Sequence, residues 1–278
     1  FAGIPYGILY IAAVLEKNNY DVAVFNEDSG DDSYIRSIID YNPDIVGYSL
    51  TTLQYGRALE FASRLKQALP AAVFVAGGVH PTALPEQVID TLSCDYVVMS
   101  EGEYTMLELC SKIKKKEDPT TINGIAFKYQ GKLIINGRRE LIPDLDELPF
   151  PARHLIQYEK YILPPGDIRG QWFNRSTFFL GSRGCPFDCS FCPSALMFRR
   201  KIRAHSLDRI IEEIKFLVKN YKIEALHFLD DIFSIDPKRA LEFCKKIREN
   251  RIDLTYSCQF RVDVIHEEVL REIKRIGF

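Results

Sequence analysis

No run of this chain approaches the ~18 consecutive apolar residues of a membrane-spanning helix, so no span is expected. The start, Phe1-Ala-Gly-Ile-Pro-Tyr, shows neither a charged leader nor a cleavage site, so no secretory signal is expected. Charge of one sign is missing as well. Thirty-six Lys and Arg stand against 38 Asp and Glu, a net charge of −2, so no global basic field points to nucleic acid. The basic runs at 112–116 and 199–203 are local, and read as a solvated helix end and a loop. A second close pair of cysteines is also absent, whereas structural zinc sites usually take four ligands from two such pairs. The seven cysteines are odd in number and three are clustered, which argues against a disulfide framework and for a reducing, cytoplasmic setting.

The cluster itself is the most informative feature present. Cys185, Cys189 and Cys192 stand in Gly181-Ser-Arg-Gly-Cys-Pro-Phe-Asp-Cys-Ser-Phe-Cys-Pro193, a CxxxCxxC spacing directly after a β-rich stretch at 176–180. Three thiolates at i, i+4 and i+7 converge only if a loop wraps the metal. Gly181 and Gly184 allow tight turning there, and Pro186 and Pro193 stiffen the loop. Iron–sulfur clusters normally take four thiolates, so three leave one iron open to another ligand. Cys94, Cys110 and Cys244 read as buried apolar residues, and Cys258 is isolated on a predicted strand.

Around this motif the chain alternates helical and strand patterns, which predicts an α/β fold. Residues 1–118 read as one parallel layer domain. Its helices are expected at 8–18, 34–41, 55–68, 85–92 and 105–116, and its strands at 21–25, 45–50, 72–76 and 96–99. Residues 119–170 read as a hairpin, with strands at 124–129 and 132–135, and a proline-rich strap holding Pro143, Pro149, Pro151, Pro164 and Pro165. Residues 171–278 read as three β–loop–α units, with strands at 176–180, 225–229 and 254–260 and helices at 207–221, 237–250 and 267–276. Polar residues follow each strand, as in a (β/α) barrel that carries its active site at the strands' C-terminal ends. A closed barrel has about eight such units, so this reads as a partial barrel.

Other strand ends carry candidate binding groups. Leu229-Asp230-Asp231-Ile232-Phe233 ends the second barrel strand and Ser257-Cys258-Gln259-Phe260-Arg261 the third. Acceptor oxygens at such an end suit an ammonium group. Arg199, Arg200 and Arg203 follow the cysteine loop, as a clamp for an anion or as solvated side chains. In the first domain, Ser49-Leu50-Thr51-Thr52, Gly77-Gly78-Val79-His80-Pro81-Thr82 and Ser100-Glu101-Gly102-Glu103 end three strands. They predict a crevice at the sheet's carboxyl edge, where open α/β folds bind ligands.

Cys185-x-x-x-Cys189-x-Phe191-Cys192 resembles the signature of the radical S-adenosylmethionine superfamily. The first domain resembles the cobalamin-binding domain that precedes the radical domain in cobalamin-dependent members. The matching stretches are Pro5-Tyr6-Gly7 and the residues that follow to Ala13, Pro43 to Ser49, Gly77 to Thr82, Glu101-Gly102-Glu103 and the strap from Asp144 to Arg153. The resemblance implies a Rossmann-like domain before a TIM-type partial barrel, with a 4Fe–4S cluster, S-adenosylmethionine and cobalamin as cofactors. It implies that Cys185, Cys189 and Cys192 hold the cluster. It implies S-adenosylmethionine contacts at Asp230 or Asp231, beside Phe191, and at Gln259 and Arg261. It implies cobalamin contacts at Tyr6, Gly7, Ser49, Leu50, Thr51, Gly77, Gly78, His80, Pro81, Glu101, Gly102 and Glu103.

In that family, one-electron cleavage of the sulfonium yields a 5′-deoxyadenosyl radical, which demands a dry pocket. The implied activity is methyl transfer to an unactivated centre of a small molecule, with an electron donor such as flavodoxin or ferredoxin. A radical cyclase or ring-rearranging enzyme, and a binding protein without turnover, are the alternatives. A tRNA methylthiotransferase would need three further cysteines in its first domain, and Cys94 and Cys110 do not suffice. Many cobalamin domains bind cobalt through an Asp-x-His-x-x-Gly loop. With Gly7 as that glycine, Ala2 and Ile4 replace the Asp and His, so no axial imidazole is expected from it. The first strand of the domain would precede Phe1, so the chain is expected to be part of a longer enzyme.

Overall fold

The computed structural model describes residues 3–25, 33–162, 166–168, 171–173 and 175–278. The chain divides into two compact units. The first holds Pro5–Ile142 and Ser190–Met197, and the second is built mainly from Pro143–Cys189 and Phe198–Phe278.

In the first unit, the elements run α1 (Tyr6–Lys17), α2 (Ser33–Tyr41), β1 (Ile45–Ser49), α3 (Thr52–Ala68), β2 (Val73–Gly77), α4 (Val79–Ala83), α5 (Pro85–Thr91), β3 (Tyr96–Val98), α6 (Glu103–Lys115), β4 (Ile125–Tyr129) and β5 (Lys132–Ile135). The sheet order is β1-β2-β3-β4-β5. β1, β2 and β3 are parallel, in the registers Ile45↔Val73 and Val75↔Tyr96. The apolar run Phe74-Val75-Ala76 is fully buried, as a strand covered on both faces requires. The hairpin extends this sheet: β4 pairs antiparallel with β3, Val98 opposite Ile125, and buries Ile125, Ala126 and Phe127. A capping box opens α3, with Thr51 N–H donating to Gln54 Oε1 at 3.0 Å. The basic run at 112–116 closes α6, where Lys112, Lys114 and Lys115 oppose the negative end of the helix dipole.

Residues 21–25, expected as a strand, belong to no ladder among the described residues. Two of the five residues are valines, but a strand needs a hydrogen-bonded neighbour and among the described residues none pairs with this segment.

The second unit continues with β6 (Gly166–Ile168), β7 (Gln171–Phe173), β8 (Ser176–Phe179), β9 (Ser182–Arg183), α7 (Ser194–Phe198, which crosses from the first unit), β10 (Arg203–Ala204), α8 (Leu207–Tyr221), β11 (Ala225–Phe228), α9 (Pro237–Glu249), β12 (Thr255–Ser257) and α10 (Glu267–Arg275). β8, β11 and β12 form a parallel sheet in the order β12-β11-β8, with Phe178 and Ser257 both in register with His227. This is the start of a (β/α) barrel, and its outer layer packs as expected. α8 buries Leu207, Ile210, Ile211, Ile214 and Leu217, and Ser206 Oγ caps it by accepting from Arg209 N–H at 3.2 Å. Asp236 and Pro237 open α9 in the same way. Phe228, Phe233, Phe243, Tyr256 and Phe278 form one aromatic cluster, with ring centroids 5.0–6.4 Å apart.

The proline-rich strap is fastened to the barrel by polar bonds as well as by the buried Leu145 and Leu148. Asp146 Oδ1 accepts from Ser206 N–H at 3.1 Å and sits 3.0 Å from His205 Nδ1. Arg153 pairs with Glu213 of α8, and both side chains are 3% exposed.

Candidate functional site

The cysteine loop leaves the end of β8 and is pinned where it starts and finishes. β9 and β10 pair antiparallel, Arg203 opposite Arg183 and Ala204 opposite Ser182, so a two-residue ladder closes the loop. His205 N–H donates to Gly181 O at 3.0 Å beside it. Gly184 sits at φ +91°, and a Cβ there would meet Lys201 O at 2.1 Å. Only glycine allows the two arms of the loop to come that close.

Asp230, at the end of β11, fastens the same point. Its carboxylate accepts from Gly181 N–H at 2.7 Å and from Ser182 Oγ–H at 2.5 Å. Burial pushes this carboxyl up to about 6, against the lowering pull of Ser182, Gly181 and the Arg239 charge. A cavity of about 210 Å³ lies against it, lined by Phe228, Phe233, Arg203 and Arg239 among others. That is smaller than the ~300–1,000 Å³ of a cofactor pocket. Asp230 is therefore spent on the loop's base, while its neighbour Asp231 is exposed.

Cys185 is 9% exposed, Cys189 and Cys192 are partly exposed, and none of the three is in a disulfide. Among the described residues, no three His, Cys, Asp or Glu side chains are gathered into a metal-binding group. Phe191 is 89% exposed.

Arg261, just past β12, reaches back to this loop. Its Nη1 donates to Cys189 Sγ at 3.0 Å, and its Cζ lies 3.9 Å from the centre of the Phe187 ring. Asp263 grips the other side of the guanidinium, accepting from Nε at 2.9 Å and from Nη2 at 2.6 Å. That bond holds the Arg261 pKa above its ordinary value and the Asp263 carboxyl below its own. Gln259 is exposed, and its carbonyl accepts from Phe233 N–H at 3.1 Å. Arg199 and Arg203 are partly exposed, and Arg200 pairs with Asp188.

In the first unit, the strand ends sort the sequence candidates into two groups. Ser49, Thr51 and Gly7 are exposed, Gly77 and Gly78 are partly exposed, and Leu53 at the start of α3 is 97% exposed. Tyr6, Leu50, His80, Pro81, Glu101, Gly102 and Glu103 are buried. Glu101 Oε2 accepts from Ile142 N–H at 2.9 Å and so serves the fold. Gly78 sits at φ +99°, and a Cβ there would meet Leu50 O at 2.8 Å, so this glycine serves strand-to-strand approach. His80 Nδ1 is 3.2 Å from Thr52 Oγ1, and its ring lies 4.2 Å from that of Tyr55. His80 Nε2 is buried and has no hydrogen-bond partner among the described residues.

Sequence reasoning gave no role to Ser182, Phe187, Asp263 or Tyr55. Asp263 carried one signal, an acid two residues after Arg261 across a turn.

The two units correspond to two known kinds of domain. Residues 1–110 match the B12 binding domain and residues 180–278 match the Radical SAM superfamily. One polypeptide thus carries a B12 binding domain followed by a Radical SAM domain. It is 33% identical, over 99% of its length, to the uncharacterized methyltransferase PH0819 of Pyrococcus horikoshii, and covers 59% of that protein. It is 30% identical, over 98% of its length, to the anaerobic magnesium-protoporphyrin IX monomethyl ester cyclase of Rubrivivax gelatinosus, and covers 49% of it. The chain therefore spans about half the length of the curated relatives it matches. Its fold is that of the cobalamin-dependent S-adenosylmethionine radical enzyme OxsB, solved with aqua-cobalamin and S-adenosylmethionine bound. The TM-score is 0.81 at 18% identity, over 100% of this chain and 40% of that one.

Proposed function

We propose that this chain forms the cofactor-binding part of a cobalamin-dependent radical S-adenosylmethionine methyltransferase, acting on an unactivated carbon or phosphorus of a small molecule. The observation that carries the reading is the cysteine loop. CxxxCxxC stands on a loop whose base is closed by the β9–β10 ladder, by Gly184 against Lys201, and by the Asp230 carboxylate. Three cysteines outside any disulfide, on so firm a base, suit a 4Fe–4S cluster with one iron left for S-adenosylmethionine. When bound, that pair supplies a carbon radical by one-electron cleavage of the sulfonium.

Cys185, Cys189 and Cys192 hold the cluster. Asp231, at the end of β11, is the carboxylate for the ammonium group, because it is the exposed member of the pair and Asp230 is buried. The exposed Phe191 and the backbone beside it meet the adenine, and Gln259 is free to reach the same ligand. Cobalamin lies over the strand ends of the first unit. There Ser49 and Thr51 offer exposed polar atoms, Leu53 an exposed apolar surface, and His80 a buried nitrogen with no hydrogen-bond partner among the described residues. That mixture of amide partners and apolar surface fits a corrin ring with its amide side chains. A flavodoxin or ferredoxin supplies the electron in the cytoplasm. Among the described residues, no helix is long and apolar enough to cross a membrane.

The test is anaerobic reconstitution followed by incubation with reductant and methyl-labelled S-adenosylmethionine. A brown protein with roughly four irons, retained cobalamin and released 5′-deoxyadenosine is expected. A colourless protein holding one zinc refutes the cluster. The relative from Rubrivivax gelatinosus favours one alternative, a radical cyclase. Ring closure without incorporation of the labelled methyl in the product would select it.

A further inference from the structure

Arg261 makes a contact with a cluster-loop sulfur, and its guanidinium is fixed from two other sides. Its Nε and Nη2 are taken by the two oxygens of Asp263, and its Cζ lies 3.9 Å from the centre of the Phe187 ring. A bidentate carboxylate removes the rotational freedom of the guanidinium, so the remaining Nη1 has one direction in which to donate. It donates to Cys189 Sγ at 3.0 Å, across 72 residues of sequence. Arg261 itself is anchored by the turn at Val262–Val264, where Val264 N–H donates to Arg261 O at 3.2 Å.

We propose that Arg261, aligned by Asp263 and Phe187, is the hydrogen-bond donor to the Cys189 thiolate of the iron–sulfur cluster and raises the cluster's reduction potential. This rests on the three-cysteine cluster proposed above. Reduction adds one electron to a centre that is already anionic. A donor and a fixed positive charge on one of its sulfurs stabilise the more negative state. The arginine therefore acts through the ligand as a positioning residue. It differs from the S-adenosylmethionine contact expected from the sequence, because the guanidinium face that would meet a carboxylate is already held by Asp263.

The experiment is an anaerobic redox titration of the reconstituted full chain with dithionite, followed by electron paramagnetic resonance, in the absence of S-adenosylmethionine. Iron is counted first. Arg261→Gln is expected to load the same iron and to lower the reduction equilibrium constant about tenfold. For one electron that is a midpoint fall of about 59 mV. Arg261→Lys keeps the charge and is expected to restore most of the shift. Asp263→Asn, which loosens the guanidinium without removing it, is expected to give a smaller fall and a broadened resonance. It supplies the reading should Arg261→Gln fail to assemble.

A loaded cluster whose midpoint is unmoved in Arg261→Gln and Asp263→Asn overturns the proposal and leaves the cluster standing. An unmoved midpoint with weakened S-adenosylmethionine binding returns Arg261 to the ligand. Failure of the parent chain to take up iron overturns the cluster and this proposal together.

Discussion

Replacing Asp230 separates two effects that act in opposite directions at one carboxylate. Asp230→Ala leaves Gly181 N–H and Ser182 Oγ–H buried without their acceptor. An unsatisfied buried donor costs about 1–3 kcal/mol, so two cost about 2–6 kcal/mol, and the cavity adds to this. Asp230→Asn keeps an acceptor for Gly181 and lets the Ser182 hydroxyl turn to accept. It also removes a charge that is held at a loss. The carboxyl rises from 3.8 to about 6 on burial. At ~1.4 kcal/mol per pH unit, the ionised form therefore costs about 3 kcal/mol at pH 7.

The folded protein holds this proton more tightly than the unfolded chain. Its contribution is fully present below pH 3.8 and is lost as pH rises through about 6. Urea unfolding at pH 4.5 and 7.5, followed through the aromatic cluster, reads both effects. Asp230→Ala is expected to lose at least 2 kcal/mol at both pH values. Asp230→Asn is expected to match or exceed the parent at pH 7.5 and to gain on it between pH 4.5 and 7.5, a difference from which the opposite contribution of His205, common to both proteins, cancels. Equal stabilities for the Ala and Asn variants would refute the reasoning, because the hydrogen bonds would then carry nothing.

Gly184→Ala forces a Cβ onto Lys201 O at a positive φ, and is expected to cut iron uptake on reconstitution, measured by iron content, while β8, β11 and β12 stay folded. Arg153→Met strands the buried Glu213 and is expected to cost about 3–5 kcal/mol in urea unfolding, whereas Arg153→Met with Glu213→Leu should recover most of it. Burial, with the neighbouring charge of Arg209, lowers His205 from 6.5 to about 4. Here the unfolded chain binds the proton more tightly, so stability is present above pH 6.5 and is lost as pH falls toward 4. His205→Gln is expected to flatten that limb of the stability profile, which a thermal melt series from pH 4 to 7.5 would record.

Much of this was legible in the chain because local signals agreed with one another. Ser206, Asp236 and Pro237 announce their helices by capping chemistry alone, and the apolar run at β2 announces a strand covered on both faces. The cysteine motif is legible as a motif because its spacing lies within one loop. What failed depends on partners elsewhere. Residues 21–25 have strand composition and no ladder, since pairing is not a property of the segment. β9 and β10 are two residues long, too short to leave a period.

The sequence could not choose between Asp230 and Asp231. Adjacent side chains at a strand end point to opposite sides, so one was bound to turn inward, and packing decided which. The glycines at 77–78 suggested room for a ligand, yet Gly78 makes room for Leu50. The partnership of Arg261 with Cys189 spans 72 residues and leaves no local trace.

The β9–β10 ladder also bears on what the metal does for the protein. In many small metal domains the ion is the staple, and chelators unfold the chain. Here backbone bonds already join the two ends of the loop. The entropy of closing it has been met by folding, and the proposed cluster would have only the interior of the loop left to order. Removing and rebuilding such a cluster would then leave the scaffold standing, so loading of the centre would be decoupled from folding of the chain.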